Sequence, residues 1–258
     1  MRLAGAVTLV TGASSGIGAA TAAALGAAGA RLLLTGRDAA RLAEVARQTG
    51  GVALPADLAA PEGAAHLAQE VMAAPADTSG PGIDILVNNA GLGWAGPLGD
   101  ITPARVTELI QINLAAPIEL TRLLLPGMVK RGGGRVVFVS SIAGVTGVRG
   151  EAVYAATKAG LITFAESLDY EVREHGVRVC VVVPGVIDTP FFTRRGRPYG
   201  RKRPAPLPVE RVARAIVAAL EHDRPTVYVP RWLRLPARIH GAAPGAFRAL
   251  AARYGDPG

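Results

Sequence analysis

Two polar side chains in the stretch YAATK raise the first chemical question. Tyr154 and Lys158 stand four residues apart with only small residues between them. On a helix that spacing places both on one face. A tyrosine hydroxyl titrates near ~10, too high for easy proton exchange at neutral pH. An ammonium beside it favours the phenolate and lowers that value. Together the two can give and take a proton in general acid–base chemistry. The same spacing also serves a solvated helix face, so the pair gains meaning only from its companions. Ser141 lies thirteen residues ahead of Tyr154, at the end of GRVVFVSS. Ser140 is the other hydroxyl there, and alternation along a strand turns the two to opposite faces. The spacing from Tyr154 favours Ser141. Asn113 sits in a long helical stretch, either as a helix-interior amide or as part of a site.

The second group of interest is TGASSGIG, where Gly12, Gly16 and Gly18 follow an apolar run. Glycine permits the tight turn, and missing Cβ atoms let a pyrophosphate approach. The helix N-terminus after Gly16 favours that anion. An NAD site usually carries an acid at the end of the second strand. Here that strand ends TGR, with Gly36 in the acid's place and Arg37 after it. A guanidinium pairs with a 2′-phosphate in bidentate fashion. NADP(H) is therefore read as the preferred cofactor and NAD(H) as the alternative. Asp38 works against that preference, and in an Arg-rich chain Arg37 also reads as a plain surface residue.

The elements that must position these residues alternate along the chain. Apolar runs at 6–12, 30–37, 51–58, 83–91, 134–141, 177–185 and 225–230 read as strands. The stretches 18–29, 38–50, 62–74, 102–132, 152–176 and 209–222 read as helices, with Asp38 and Thr102 as caps and Pro103 in the first turn. Continuous apolar strands separated by helices imply an α/β fold: a doubly wound, parallel seven-stranded sheet with helices on both faces, in a single domain over 1–230. In such sheets ligands bind beyond the carboxyl ends of the strands, where every group named above falls. Residues 77–82 read as a surface loop.

Composition narrows the class. Half of the 258 residues are hydrophobic and aromatics make up 5%, which suits close helix-to-sheet packing. The one cysteine, Cys180, allows no internal disulfide and reads as a buried structural thiol. No Cys/His cluster suggests a metal. The chain thus suits a reducing, cytoplasmic compartment. No uninterrupted apolar run reaches the ~18 residues of a bilayer span, and the N-terminal run reads as a first strand rather than a signal peptide. The net charge of +8 is local: residues 1–190 carry 14 Lys/Arg against 16 Asp/Glu, and residues 191–258 carry 14 against 4. The basic quarter has no recognisable nucleic-acid reading motif, so no nucleic acid is expected.

The T-G-x-x-x-G-x-G turn, NNAG at 88–91, Asn113, Ser141, the Tyr154–Lys158 pair and PG at 184–185 followed by VIDTP stand in order and spacing. Jointly they resemble the short-chain dehydrogenase/reductase superfamily, over roughly residues 5–190. The resemblance implies the Rossmann fold and an oxidoreductase that moves hydride between a nicotinamide cofactor and a carbonyl or alcohol. It implies that Tyr154 gives the alkoxide its proton and that Ser141 hydrogen-bonds the carbonyl oxygen. Lys158 would hold the nicotinamide ribose, and Asn113 would anchor a water leading protons to Lys158. The cofactor would lie along Gly12, Ser14, Ser15, Gly16, Ile17 and Gly18, then Asn89, Ala90 and Gly91, with Pro184 and Gly185 beside it. Asp57 would bond the adenine, though it also reads as a turn residue, and Ile187 and Thr189 would meet the carboxamide. The long helices 102–132 and 152–176 resemble those that pair subunits, so a homodimer or homotetramer is implied.

In that superfamily the residues after DTP form the substrate lid, here about 190–208, opening with Phe191 and Phe192 and continuing through an Arg-rich run. A hydrophobic small-molecule carbonyl or alcohol is the favoured substrate. A 3-oxoacyl thioester that uses the Arg cluster is the second reading, and an NADP-sensing protein without turnover is the third. The extension 231–258 interleaves Trp232, Leu235, Ile239 and Leu250 with arginines. It suits either a membrane surface, as peripheral contact, or packing on its own body or a partner subunit.

Overall fold

The computed structural model describes residues 1–73, 82–200 and 204–254, with side chains to residue 250. Most of the expected loop at 77–82, the basic residues Arg201, Lys202 and Arg203, and the side chain of Arg253 therefore lie outside the described residues. Seven strands form one parallel sheet: β1 (Val7–Thr11), β2 (Arg31–Gly36), β3 (Val52–Pro55), β4 (Ile85–Asn88), β5 (Gly134–Val139), β6 (Val177–Pro184) and β7 (Thr226–Val229). Their order is β3-β2-β1-β4-β5-β6-β7. The order reverses between β1 and β4, which opens a crevice at their carboxyl ends.

Helices cover both faces, so the central strands must be apolar on both sides. Every residue of β1 and β4 is buried. One face takes α1 (Gly16–Ala27), α2 (Ala39–Thr49) and α9 (Val209–Glu221), packed through Leu25, Leu34, Leu42, Val182 and Ile216. The other takes α3 (Gly63–Ala73), α5 (Ala116–Lys130) and α7 (Ala152–Val172), through Leu67, Leu120, Phe138, Leu161 and Leu168. Each such side chain contributes ~1.5–3 kcal/mol on leaving water. Asp38 caps α2 by accepting the Arg41 N–H at 3.0 Å, and Thr102 accepts the Arg105 N–H at 3.3 Å.

The expected single helix at 102–132 is instead three pieces. α4 (Pro103–Ile110) passes through a π-helical turn, Gln111–Ala115, into α5. Pro117 supplies the reason. It has no N–H to give the carbonyl of Asn113 four residues back, so the α-helical ladder breaks there. The Ala116 N–H reaches Gln111 instead, five residues back. By length and mean hydropathy the run Pro103–Lys130 is apolar enough to cross a bilayer, which a count of uninterrupted apolar residues overlooks. Here Leu109, Ile112, Ala116, Leu120, Leu124 and Met128 are buried in the protein.

Two short helices escape sequence periodicity: α6 (Ile142–Thr146) and α8 (Phe191–Arg194). The C-terminal extension forms α10 (Arg234–Ala242) and α11 (Pro244–Tyr254). Its first residues pack on the body of the chain: Leu233 is buried, and α10 lies against α6. Trp232, Leu235, Ile239 and Leu250 stay exposed.

Candidate active site

One cleft of about 1330 Å³ runs along the carboxyl ends of the strands. That exceeds the ~300–1,000 Å³ of an ordinary small-ligand site. Its floor holds the serine, tyrosine and lysine. Ser141 ends the run after β5 as N-cap of α6, and its Oγ accepts the Ala143 N–H at 3.1 Å. Ser141 also lowers the pKa of the Tyr154 phenol. Ser140 points the other way and donates to the Lys158 carbonyl at 2.9 Å, so strand alternation separates the two serines as expected. Lys158 donates from Nζ to the Val139 carbonyl at 2.9 Å and lies 6.0 Å from the Tyr154 ring centroid.

Asn113 stands behind this floor, fully buried on the π turn. Its Oδ1 accepts the Leu92 N–H at 2.8 Å, and its Nδ2 donates to the Leu92 carbonyl at 2.9 Å and to Thr157 Oγ1 at 3.2 Å. Its side chain therefore clamps the loop after β4 to α7, just beside Lys158.

Burial sets the titration of the floor. It drives the Tyr154 phenol well above the usual tyrosine range; the Ser141 hydroxyl pulls it down, the Glu151 carboxylate pushes it up, and Arg195 pulls it down. Burial lowers Lys158 to about 8. Burial, and not Lys158, is the largest influence on the tyrosine here. The lysine points at the Val139 carbonyl, while Phe191 covers the phenol with its ring centroid 5.4 Å away. Desolvation outweighs the distant ammonium.

The glycine turn is compact. A Cβ on Gly18 would meet the Gly12 carbonyl oxygen at 2.2 Å, and one on Gly12 would meet the Ala90 Cα at 2.9 Å. Gly12, Ser14, Ser15, Gly16 and Ile17 line the cleft, as do Asn89, Ala90, Gly91, Pro184, Gly185, Ile187 and Thr189. Asn89 donates from Nδ2 to the Thr11 carbonyl at 2.8 Å and so holds β4 to the turn. Gly18 lies beneath the turn rather than on the cleft. Asp57 is exposed between Ala56 and Leu58, which line the cleft, and it accepts the Ala59 N–H at 3.0 Å, as a turn residue does.

Arg37 lines the far end of the cleft, half exposed, with Nη1 3.8 Å from the Glu108 carboxylate. Arg41, which the sequence reading passes over, joins it one helical turn later. Its Nε lies 3.1 Å from Asp38, which is occupied in capping α2. Hydroxyls, backbone N–H groups, two guanidiniums and an ammonium along one groove fit a nicotinamide dinucleotide. Among the described residues no cluster of three or more His, Cys, Asp or Glu suits a metal. Cys180 lies buried in β6, its thiol pushed up to about 12 by burial.

The lid covers the other half. Phe191 and Phe192 meet edge to face at 5.6 Å, Phe192 tilts onto Tyr199 at 5.3 Å, and the Arg195 guanidinium lies 4.7 Å from the Phe192 ring centroid. Arg195 also forms a partly buried ion pair with Glu151, the residue before α7. The sequence reading misses this pair; the one signal available is Glu151 standing three residues ahead of Tyr154.

The family model for short chain dehydrogenases matches residues 6–199. The chain belongs to the short-chain dehydrogenase family and is an oxidoreductase of that family. It is 35% identical over 232 residues to the ketoacyl reductase HetN of a Nostoc species, covering 88% of this chain and 79% of that protein. A short-chain dehydrogenase from Sphingobium yanoikuyae, solved with NADPH, superposes with a TM-score of 0.81 at 28% identity, covering 98% of this chain and 97% of that one. A metagenomic short-chain oxidoreductase, solved with NADP, matches at 36% identity and a TM-score of 0.73, covering 88% and 96%.

Proposed function

We propose that the protein interconverts a hydrophobic carbonyl compound and its alcohol with NADP(H). The observation that carries this reading is the grouping of Ser141, Tyr154 and Lys158 on the floor of a cleft whose other half is the glycine turn. The bound nicotinamide supplies the hydride in reduction and accepts it in oxidation. Ser141 and Tyr154 hydrogen-bond the carbonyl oxygen. As that oxygen gains negative charge, Tyr154 releases its proton to it and an alcohol results. Lys158, charged below a pH of about 8, holds the cofactor ribose and restores the tyrosine's proton. The burial of Asn113 on the π turn, next to Thr157 and Lys158, supports its reading as a water anchor.

Arg37 and Arg41 support a 2′-phosphate at the far end of the cleft, in line with the NADP(H) named for two relatives. Phe191, Phe192 and Tyr199 support an apolar substrate. A second reading, a 3-oxoacyl-thioester reductase, draws on Arg149, Arg195 and Arg197 at the cleft and on the name of the Nostoc relative. The test follows NADPH and NADH oxidation optically against apolar ketones, aldehydes and 3-oxoacyl thioesters. Turnover of apolar carbonyls with NADPH is expected, and turnover of thioesters alone would replace the first reading with the second. Arg37→Asp should weaken NADPH at least tenfold and leave NADH nearly untouched; equal loss for both sinks the 2′-phosphate assignment.

A further inference from the structure

The lid touches the glycine turn through one arginine. Arg194 closes α8, and its Nη1 donates to Ser15 Oγ at 3.2 Å, across 179 positions of chain. Ser15 is the N-cap of α1, yet its side chain makes no capping hydrogen bond, and α1 has no acidic residue in its first turn. Its opening N–H groups therefore have neither the hydroxyl nor a carboxylate that helix starts usually receive.

Several cations of the cleft are already engaged. Arg195 pairs with Glu151, Arg41 with Asp38 and Arg37 with Glu108, while Lys158 bonds a carbonyl. Arg194 meets a neutral hydroxyl, and no carboxylate among the described residues forms an ion pair with it. A guanidinium carries five N–H donors in a fork suited to phosphate oxygens. Thr189 braces the same place, its methyl 3.2 Å from where a Cβ on Gly16 would stand. An uncapped helix start and an unpaired guanidinium thus face each other across the turn.

We propose that Arg194 binds the pyrophosphate of the cofactor, so that the lid supplies a cation to the dinucleotide site. The inference rests on the reading of the cleft as an NADP(H) site. Its consequence is reciprocal coupling: cofactor holds the lid down on the turn, and the lid holds the cofactor. Arg195 ties the next position of the lid to the catalytic helix, so consecutive arginines join the two halves of the cleft.

The experiment is calorimetric titration of the full-length protein, wild type, Arg194→Ala and Arg194→Lys, with NADPH, NADH and 2′-AMP. None of these needs turnover. Arg194→Ala should weaken NADPH and NADH alike by about tenfold, which is ~1.4 kcal/mol, and leave 2′-AMP unchanged because it has no pyrophosphate. Arg194→Lys should fall between. Unchanged dinucleotide affinity in Arg194→Ala overturns the inference while leaving the cofactor reading intact. So does an equal loss on 2′-AMP, which would mark a general electrostatic or structural effect. A wild type that binds neither dinucleotide overturns both.

Discussion

The floor and the roof of the cleft are built by different forces. On the floor the lysine, both serines and Asn113 around Tyr154 are tied to backbone at the edge of the sheet. Lys158 bonds the Val139 carbonyl, Ser140 bonds the Lys158 carbonyl, Ser141 accepts the Ala143 N–H, and Asn113 takes both polar groups of Leu92. On the roof the contacts that reach the rest of the cleft run from side chain to side chain: Arg195 to Glu151, Arg194 to Ser15 and Phe191 to Tyr154; within the lid, Arg195 and Tyr199 also bond the backbone carbonyls of Arg197 and Pro204. Backbone anchors inherit the rigidity of the sheet. Side-chain contacts can be exchanged for contacts to a ligand at lower cost. The difference assigns fixed geometry to the reacting groups and adaptability to the groups that meet cofactor and substrate.

The sharpest way to test this division starts on the floor. Tyr154→Phe removes the proton donor and keeps the ring under Phe191. Turnover should fall by about 10²–10⁴-fold, the usual share of general acid catalysis, with NADPH affinity little changed. A variant that keeps a tenth of wild-type kcat would remove Tyr154 from the chemistry.

A smaller effect should come from behind the floor. Asn113→Ala strands the Leu92 N–H and carbonyl, both partners of a fully buried amide. Leaving such groups unpaired costs ~1–3 kcal/mol each. Urea denaturation should show lost stability of at least that order. An unchanged midpoint would mean that the loop after β4 finds other partners and that the floor is less firmly anchored than described.

The smallest effect belongs to the roof. Glu151 pushes the tyrosine pKa up and Arg195 pulls it down. Glu151→Gln removes the upward push and keeps the cation, so the Tyr154 pKa should fall. Reduction needs the protonated phenol and is lost as pH rises through that pKa. The loss of kcat that tracks Tyr154, above the range near 8 in which Lys158 titrates, should therefore move to lower pH. A shift to higher pH, or none, would show that the lid pair does not act on the floor.

Much of this architecture is legible in the chain itself. The seven apolar runs are close to the seven strands, because strands covered on both faces leave an unbroken Val, Ile and Leu signature. Ser141 is distinguished from Ser140 by strand alternation and its distance to Tyr154. The π turn at Asn113 is legible in hindsight from Pro117 four residues on, since proline withholds the donor that an α-helix requires there. The lid helix α8 is too short for any periodicity, and the pairing of Arg195 with Glu151 spans 44 positions. Nothing local marks either residue as a partner of the other.

What the sequence determined alone is the order of strands and helices, the glycine turn and the types of the reacting groups, because backbone preferences and apolar periodicity are local properties. What the tertiary structure decided is which face of the tyrosine is covered, that burial outweighs the lysine in setting its pKa, and that two neighbouring lid arginines reach opposite halves of the cleft. Those depend on desolvation and on distances between segments far apart in the chain, and both arise only when the chain closes on itself.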